Sequence, residues 1–333
     1  MAKVGVVGTT SWGTTLATLL AQDGQSVTLW ARTPDEAEVL NREGENRRFL
    51  PGTKFPTNLH VTSSADEAFF EAGLVLIVVP SSTFRENVRR VALAFNSDAV
   101  VVSATKGLEI DTGLRMSQVL TEELPRGMRD NICALSGPNL AREIVQGKPS
   151  STVVASQNSD ASVKAQDIIN SPSRLRVYTN DDIVGVEFGG ALKNIIALGA
   201  GVCDGKELGD NAKAVFMTRG LAEIGRLAAA AGAKPLTLAG LAGMGDLVAT
   251  CSSTLSRNHS VGERLAKGES LQKIRESMVN VAEGVNTAAA AMTLSRRFGV
   301  DMPITQAMYS VLFENVPLDE AIASLLGRAP RPE

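Results

Sequence analysis

Lys193, within a glycine-rich apolar segment, is the side chain of this sequence best suited to proton transfer. The pattern predicts a helix over 183–200, in which Gly189 and Gly190 precede the lysine by four and three residues. Long helical side chains lean over the preceding turn, so the amine is expected above a notch that carries no side chains and admits a small molecule. Apolar neighbours are expected to desolvate the amine and lower its pKa, which favours proton exchange. The alternative is a glycine pair that serves only helix packing.

A second cluster offers a carboxylate and a grip for an anion. Asp246 ends a glycine-rich segment, 240–246, that is predicted as a tight loop, and its carboxylate is expected to orient or charge-stabilise the lysine. Ser256, Arg257 and Asn258 follow in a predicted turn. Hydroxyl, guanidinium and amide donors in series suit a phosphate group. Turns of this composition are common in loops, so the cluster alone does not identify a substrate.

The N-terminal segment predicts a dinucleotide site. A buried strand over 4–8 leads into a turn bounded by Gly8 and Gly13, followed by a helix and by a second strand over 26–30. Helix N–H groups and the helix dipole favour a pyrophosphate at such a turn. Its place in a βαβ unit makes the motif more specific than glycine spacing alone. The sequence therefore predicts NAD or NADP as cofactor, against the alternative of a fold that has lost its nucleotide.

Two positions qualify that prediction. Thr10 occupies the place of the middle glycine in the G-x-G-x-x-G pattern, so the phosphate is expected to sit differently, with the Thr10 hydroxyl as an added donor. Arg32 follows the second strand, where a carboxylate would bind the ribose 2′-hydroxyl of NAD. An arginine can instead pair with the 2′-phosphate of NADP. Arg32 thus favours NADP, alone or alongside NAD, unless it is simply solvated.

Hydride transfer to or from a nicotinamide needs a separate carrier for the proton. The sequence holds two histidines. His60 is expected at the surface of the nucleotide domain, and His259, directly after Asn258, can lie near the site. Lys193 is preferred as the carrier because of its glycine-flanked, apolar setting.

Short β-rich runs alternate with helical ones up to about residue 180, which predicts a largely parallel, doubly wound sheet. Beyond Asp181 and Asp182, which are predicted N-caps rather than metal ligands, only helices are expected. The predicted fold class is therefore an α/β Rossmann-like domain over 1–182 followed by an all-α domain over 183–333. The strands predicted after the second are 74–79, 99–103, 132–135, 151–155 and 175–178, with Lys106 and Gly137 just beyond strand ends, where ligands collect.

The composition indicates a cytoplasmic protein. The chain has 333 residues, 44% of them hydrophobic, and a net charge of −3, which favours neither nucleic acid nor an anionic membrane. Cys133, Cys203 and Cys251 fit neither a disulfide framework nor zinc-ligand spacing, and no metal is expected. No signal peptide is visible, and no stretch is judged long enough to span a bilayer. Arginine pairs such as Arg89–Arg90 are expected on solvated helix faces.

In their order and layout, these motifs closely resemble those of the NAD(P)-dependent sn-glycerol-3-phosphate dehydrogenases of the bacterial type. The resemblance extends over almost the whole chain, and several ordered motifs make it far more specific than the dinucleotide turn. The matching segments are 11–14 after Gly8, 103–109, 136–138, the segment around Lys193, 243–247, 256–258 and 281–284.

The resemblance implies interconversion of dihydroxyacetone phosphate and sn-glycerol 3-phosphate, which feeds glycerophospholipid synthesis. It implies Lys193 as proton acceptor in oxidation and donor in reduction, with Lys106 and Asp246 completing the catalytic set. The substrate would be bound by Lys106, Gly137, Lys193, Asn194, Asp246, Ser256, Arg257 and Asn258. The cofactor would be bound by Gly8, Ser11, Trp12, Gly13, Arg32, Lys106, Ala141, Arg257, Val281 and Glu283.

The sequence departs from the family at Thr10, where glycine is frequent, and at Asn139, where a small hydroxyl residue is common, so a substrate contact at 139 is not carried over. A rival β-hydroxyacid or 6-phosphogluconate type dehydrogenase should carry an asparagine one turn after the lysine, but Ala197 stands there and Asn194 is adjacent. A non-enzymatic NAD(P)-sensing protein would leave the lysines and Arg257 without a common purpose. The oligomeric state is open, with a homodimer as one candidate.

Overall fold

The computed structural model describes residues 2–278 and 282–329, which form two compact units. The first comprises the chain up to Lys106 together with Leu114–Glu187, and the second comprises Gly107–Gly113 and the chain from Phe188 onward. The division leaves a short segment of the first half in the second unit. The predicted domain boundary between residues 182 and 183 stays a prediction.

An eight-stranded sheet forms the centre of the first unit. Its strands are β1 (Lys3–Val7), β2 (Ser26–Trp30), β3 (Leu59–Thr62), β4 (Leu74–Ile77), β5 (Val100–Ser103), β6 (Ile132–Ser136), β7 (Ser150–Ala155) and β8 (Leu175–Asn180). In space they follow the order β3-β2-β1-β4-β5-β6-β7-β8. The order reverses between β1 and β4, so the carboxyl ends of these two strands form the topological switch point at which such sheets bind ligands.

Continuous apolar runs produce the central strands. Leu74, Val75, Leu76 and Ile77 of β4 are all buried, as expected for a strand that is covered on both faces. The covering helices are α1 (Ser11–Gln22), α2 (Pro34–Glu43), α3 (Ala65–Phe69), α4 (Phe84–Val91), α5 (Met116–Glu123), α6 (Ala141–Val145) and α7 (Ser159–Ile169), with 3₁₀ turns at Ser81–Thr83, Ala92–Ala94 and Arg126–Asn131.

The predicted doubly wound α/β fold is confirmed, with two additions. β7 runs antiparallel to β6, whereas the other neighbouring strands are parallel. β3 was not predicted, because this short edge strand lacks an apolar run. It places His60 at the surface as predicted, with Nε2 at 3.2 Å from a carboxylate oxygen of Glu67.

The second unit is built from helices, and the described residues beyond β8 contain no strand, as predicted. Asp182 caps the first helix by accepting a hydrogen bond of 2.8 Å from the N–H of Gly185, which confirms its predicted role. The helices are α8 (Ile183–Gly205), α9 (Asp210–Ala230), α10 (Pro235–Leu238), α11 (Asp246–Ser252), α12 (Arg257–Ala266), α13 (Leu271–Ser277), α14 (Glu283–Phe298), α15 (Pro303–Phe313) and α16 (Leu318–Leu326), with a π-helical turn at Leu241–Gly245.

Helix α8 is long and apolar enough to cross a bilayer, so the prediction that no stretch reaches that length was wrong. The helix is nonetheless almost wholly buried inside the protein, as a core helix is. Glycines let its second half approach α12: a Cβ on Gly201 would lie 1.9 Å from the carbonyl oxygen of His259, and one on Gly262 would lie 1.8 Å from that of Leu198. The two helices therefore touch through their backbones.

Candidate active site

Lys193 lies on α8 within a buried polar cluster. Its Nζ donates to Oδ1 of Asp246 at 2.7 Å and to the hydroxyl of Thr250. The three residues are 5%, 1% and 6% exposed, so the ion pair is shielded from solvent. Asp246 therefore contacts the lysine as predicted, whereas the surroundings of the amine are more polar than the apolar flanks indicated. Such a cluster fixes the position of an exchangeable proton.

The expected notch beside Lys193 is filled at Gly189. A Cβ on Gly189 would lie 2.4 Å from the carbonyl oxygen of Ala242, because the π-helical turn Leu241–Gly245 packs directly on this part of α8. The prediction of an open surface for a substrate was therefore wrong at this residue. Gly189 instead permits the close packing that brings Asp246 to the lysine.

The segment predicted as a tight loop ending at Asp246 continues into a helix. The π-helical turn leads directly into α11, whose first residue is Asp246 and whose fifth is Thr250. Residues four apart share one face of a helix, so both side chains reach the same amine. Burial raises the pKa of the neighbouring Cys251 thiol to about 12.

The predicted anion grip forms the start of α12 rather than a loop. Ser256 is the N-cap, and its hydroxyl accepts a hydrogen bond of 3.2 Å from the N–H of His259. Arg257 opens the helix. Although part of its side chain is exposed, desolvation lowers the pKa of the Arg257 guanidinium, and the carboxylate of Glu283 raises it. An arginine stays charged under either influence, so a cation lies where the helix dipole already favours an anion.

A chain of amides joins this helix start to the lysine helix. Nδ2 of Asn258 donates to Oδ1 of Asn194 at 2.9 Å, and Oδ1 of Asn258 accepts from the N–H of Gly284 at 2.9 Å. Asn194 directly follows Lys193 on α8, and Gly284 lies in the first turn of α14. The Asn258 amide thus holds three helices together, and this contact uses one of its two donors.

His259 pairs with a different carboxylate from the one that binds Lys193. Its Nε2 lies 2.6 Å from Oδ2 of Asp204, to which Lys213 also donates at 2.5 Å. The ring is therefore part of a polar contact between α8, α9 and α12, and the structure gives it no contact with Lys193 or Asp246.

In the first unit, the turn between β1 and α1 is closed by backbone contacts. Gly8 has φ of +111°, and a Cβ on it would lie 2.6 Å from the carbonyl oxygen of Val78. A Cβ on Gly13 would lie 2.1 Å from the carbonyl oxygen of Gly8. The turn therefore has no room for a side chain at either position, and α1 begins directly at the switch point of the sheet.

Thr10 has a different role from the one predicted. Its hydroxyl donates to the carbonyl oxygen of Val78 at 2.9 Å and accepts from the N–H of Gly13 at 3.1 Å. The expectation that this hydroxyl is an added phosphate donor was wrong, because its proton is already used. Thr10 instead ties the turn to the residue that follows β4 and caps α1.

Lys106 and Gly137 meet at the carboxyl ends of β5 and β6. Nζ of Lys106 donates to the carbonyl oxygen of Gly137 at 2.8 Å. Asn139 is held against β7, where its Nδ2 donates to the carbonyl oxygen of Ser151 at 3.2 Å and its Oδ1 accepts from Thr152 at 2.9 Å. The amide of Asn139 thus supports this turn, and Ala141 opens the short helix that follows.

Both halves of the chain match models of one family. Residues 3–162 match the model described as NAD-dependent glycerol-3-phosphate dehydrogenase N-terminus, and residues 182–323 match the model of its C-terminus. The chain belongs to the NAD-dependent glycerol-3-phosphate dehydrogenase family. The predicted family is thereby confirmed.

Relatives support the glycerol-3-phosphate dehydrogenase assignment along the whole chain. The glycerol-3-phosphate dehydrogenase [NAD(P)+] of Dehalococcoides mccartyi is 51% identical over 327 residues, which cover 98% of this chain and 91% of that protein. That of Chlorobium limicola is 47% identical over 330 residues and 99% of both chains. The crystal structure of glycerol-3-phosphate dehydrogenase from Coxiella burnetii superposes with a TM-score of 0.92 at 35% identity, covering 98% of this chain and 99% of that one.

The first unit of this glycerol-3-phosphate dehydrogenase fits a nicotinamide dinucleotide. Helix α1 begins at the switch point of the sheet, and its first turn contains no acidic residue that would repel a pyrophosphate. The indole N–H of Trp12 is buried there without an acceptor among the described residues. Val281, a predicted cofactor contact, lies outside the described residues.

Thr250 was not identified from the sequence. The available signal was its spacing of four from Asp246, which places both on one helical face only once 246–252 is recognised as helix. The glycine-rich segment ahead of Asp246 indicated a loop instead, and in a loop a spacing of four does not place two side chains together.

Proposed function

We propose that Lys193, held by Asp246 and Thr250, carries the proton as this NAD(P)-dependent glycerol-3-phosphate dehydrogenase interconverts dihydroxyacetone phosphate and sn-glycerol 3-phosphate. The observation that carries the proposal is the buried contact of the lysine amine with one carboxylate and one hydroxyl. The carboxylate and the hydroxyl together fix the position and direction of the amine. Lys193 therefore donates its proton to the carbonyl oxygen in reduction and accepts one from the hydroxyl in oxidation.

The first unit holds the cofactor. When bound, NAD(P) supplies the hydride that is exchanged with the carbon of the substrate. Backbone N–H groups at the start of a helix lack intrahelical acceptors, and Ser11 and Trp12 place theirs at the end of β1, while that of Gly13 is capped by Thr10. The residues of this unit proposed to bind the cofactor are Gly8, Ser11, Trp12, Gly13, Arg32, Lys106 and Ala141.

The phosphate of the substrate is assigned to the start of α12. Ser256 caps this helix, Arg257 supplies a charge, and Asn258 retains one amide donor beyond its contact with Asn194. Binding energy from a phosphate remote from the reacting carbon can be used to orient the carbonyl. Lys106, Gly137, Asn194 and Asp246 are the further proposed substrate contacts.

The reaction product is a precursor of glycerophospholipids, and we assign the enzyme to that supply in the cytoplasm. A homodimer is proposed as its assembly, to be tested by light scattering.

A spectrophotometric assay tests the function. The wild-type protein should oxidise NADH or NADPH when given dihydroxyacetone phosphate, and dihydroxyacetone without phosphate should be a very poor substrate. Arg257→Ala should reduce the ratio of kcat/KM between the two ketones by at least tenfold, because a charged phosphate contact is lost. An unchanged ratio would place the phosphate elsewhere. Turnover of a 3-hydroxy acid instead, or cofactor binding with no turnover at all, would overturn the function.

A further inference from the structure

A second arginine reaches the end of β2 from a different helix. Arg90, in the last turn of α4, donates from its guanidinium to the carbonyl oxygen of Arg32 at 3.0 Å. Its guanidinium carbon lies 5.3 Å from the centre of the Trp30 ring, a cation–π contact with the last residue of β2. Arg90 is exposed, as predicted for the Arg89–Arg90 pair, and it additionally contacts the end of β2.

The two arginines of this pair differ in what neutralises them. Arg89 makes two hydrogen bonds to the Glu123 carboxylate, at 2.8 and 2.9 Å. Within residues 2–278 and 282–329, neither Arg90 nor Arg32 forms an ion pair with a carboxylate. A guanidinium carries five N–H donors in a planar fork, so Arg90 keeps donors beyond its one hydrogen bond. Two exposed cations at one strand end favour an anionic ligand there.

A carboxylate stands against these cations. Oε1 of Glu36 accepts from the hydroxyl of Thr9 at 2.6 Å, and Oε2 accepts from the backbone N–H of Arg32 at 3.2 Å. The group thus bridges the cofactor turn after β1 and the end of β2. In dinucleotide-binding folds the adenosine ribose lies between these two segments, and a carboxylate there accepts a hydrogen bond from the 2′-hydroxyl.

We propose that Arg90 joins Arg32 in binding the 2′-phosphate of NADP(H), and that Glu36 acts in the opposite direction by favouring the 2′-hydroxyl of NAD(H). The proposal rests on the placement of the cofactor in the proposed function. Arg90 lies on α4, 58 residues after Arg32 in the sequence, and its contact with the Trp30 ring orients the guanidinium towards the end of β2. A phosphate gains charge-assisted hydrogen bonds from a second guanidinium, while the Glu36 carboxylate repels the same group. The residues together make the strand end able to accept either cofactor.

The test uses fragments that differ only at the 2′ position. Adenosine 2′,5′-bisphosphate and adenosine 5′-monophosphate are titrated calorimetrically into wild type, Arg90→Ala and Glu36→Gln. Arg90→Ala should weaken the bisphosphate about tenfold, and the monophosphate less than twofold. Glu36→Gln should raise the affinity ratio of bisphosphate to monophosphate about threefold or more. High salt should reduce the Arg90 effect, because the contact is exposed.

Arg89→Ala is the matched control, since it removes a neighbouring guanidinium of the same helix turn that is bound to Glu123. It should leave the ratio between the fragments unchanged. Arg90→Lys keeps a cation without the planar fork and should lose an intermediate part of the affinity for the bisphosphate. This variant keeps the test valid if Arg90→Ala is less stable than the wild type. Equal losses for both fragments, or an equal effect of Arg89→Ala, would overturn the proposal.

Steady-state kinetics separate this proposal from the proposed function. In Arg90→Ala, kcat/KM for NADPH should fall about tenfold relative to that for NADH, with dihydroxyacetone phosphate as the second substrate. If the wild type turns over with neither cofactor yet discriminates the fragments through Arg90, the proposed function fails and the 2′-phosphate site stands. If turnover is normal and the NADPH-to-NADH ratio is unchanged in the variant, the reverse holds.

Discussion

The two units of this dehydrogenase build their functional surfaces from different parts of the chain. In the first unit the turn after β1 is shaped by main-chain contacts at Gly8 and Gly13, where no side chain fits. In the second unit the groups proposed to act in catalysis are the buried side chains of Lys193, Asp246 and Thr250. A site made of backbone depends on the absence of side chains at certain positions, whereas a site made of side chains depends on the functional groups that those side chains carry.

Thr10 illustrates what the first arrangement tolerates. A threonine replaces the customary glycine, yet the turn keeps its form because the hydroxyl bonds to Val78 and Gly13 on either side of it. The contrast teaches that a changed residue type in a backbone site is informative only when the new side chain points into the turn. In the lysine cluster, by comparison, a change to an apolar residue removes a proton donor, an acceptor or a charge.

The largest effect is expected from Lys193→Met. Turnover should fall roughly 10²–10⁴-fold, the range for loss of a positioned acid–base group, while the affinity for cofactor stays within about twofold. The measurement is kcat with dihydroxyacetone phosphate beside calorimetric titration of NADH.

Two controls make this test specific. Lys206→Met removes a lysine that follows α8 and pairs with the exposed Asp319, and it should retain near wild-type turnover. Because Lys193→Met leaves Asp246 buried without its cation, the double variant Lys193→Met/Asp246→Asn should recover thermal stability without recovering activity. Near-normal turnover in the single variant would remove Lys193 from the mechanism.

A smaller but substantial effect is expected from crowding the backbone site. Gly13→Ala places a Cβ 2.1 Å from the carbonyl oxygen of Gly8, so the turn must shift, at a cost of about 1–3 kcal/mol in stability. Affinity for NADH should fall about tenfold or more. Gly127→Ala is the matched control, because a Cβ there would meet nothing within 4 Å. Full NADH affinity in Gly13→Ala would show that the turn is adjustable, and the contrast between the units would disappear.

The smallest effect concerns a carboxyl group of the first unit. The Arg89 hydrogen bond lowers the pKa of Glu123, burial opposes it, and Arg85 adds to the lowering. A carboxyl with a depressed folded-state pKa stabilises the protein above its unfolded pKa, and that contribution is lost as the pH falls through the folded value. Glu123→Gln should therefore cost about 0.5–1 kcal/mol at pH 7, and the deficit should close below the ordinary value of 4.5.

Urea unfolding followed by tryptophan fluorescence measures this deficit, because Trp12 and Trp30 both lie in the first unit. Glu223 provides the contrast in the second unit, where burial raises the pKa of its carboxyl despite hydrogen bonds from Thr305 and the N–H of Ile304. The raised pKa of Glu223 stabilises the folded protein below the unfolded pKa, and this contribution is lost as the pH rises through the folded value. The same pH trend of the unfolding free energy in Glu123→Gln and Glu223→Gln would contradict the two opposite pKa shifts.

Local signals explain which elements could be predicted. The β1–α1–β2 segment combines a buried run, turn glycines and an N-cap within thirty residues, and each of these depends on neighbours in the sequence. β4 and β5 were evident because strands covered on both faces are apolar throughout. β3, at the sheet edge, has His60 exposed and lacks that signal.

The misassigned contacts all join distant parts of the chain. Gly189 is covered by Ala242, and the Thr10 hydroxyl bonds to the carbonyl oxygen of Val78. A sequence shows which side chains are present but not which remote backbone covers them, so an open notch and a packed one look alike. The pairing of Lys193 with Asp246 was predictable from charge, because a buried cation requires a partner.

The glycine contact between α8 and α12 sets a limit on how substrate preference can change. Since Gly201 and Gly262 lie against backbone carbonyls, the distance between these helices is set by direct contact of their main chains. Lys193 lies on α8 and Arg257 on α12, so the distance between the two residues depends on that contact. With the substrate phosphate at Arg257 as proposed, longer or shorter phosphorylated ketones would require a different spacing of this helix pair, whereas exchanged side chains would alter only which groups are recognised. Directed evolution for chain length should therefore yield changes in the backbone contact before it yields changes at Arg257.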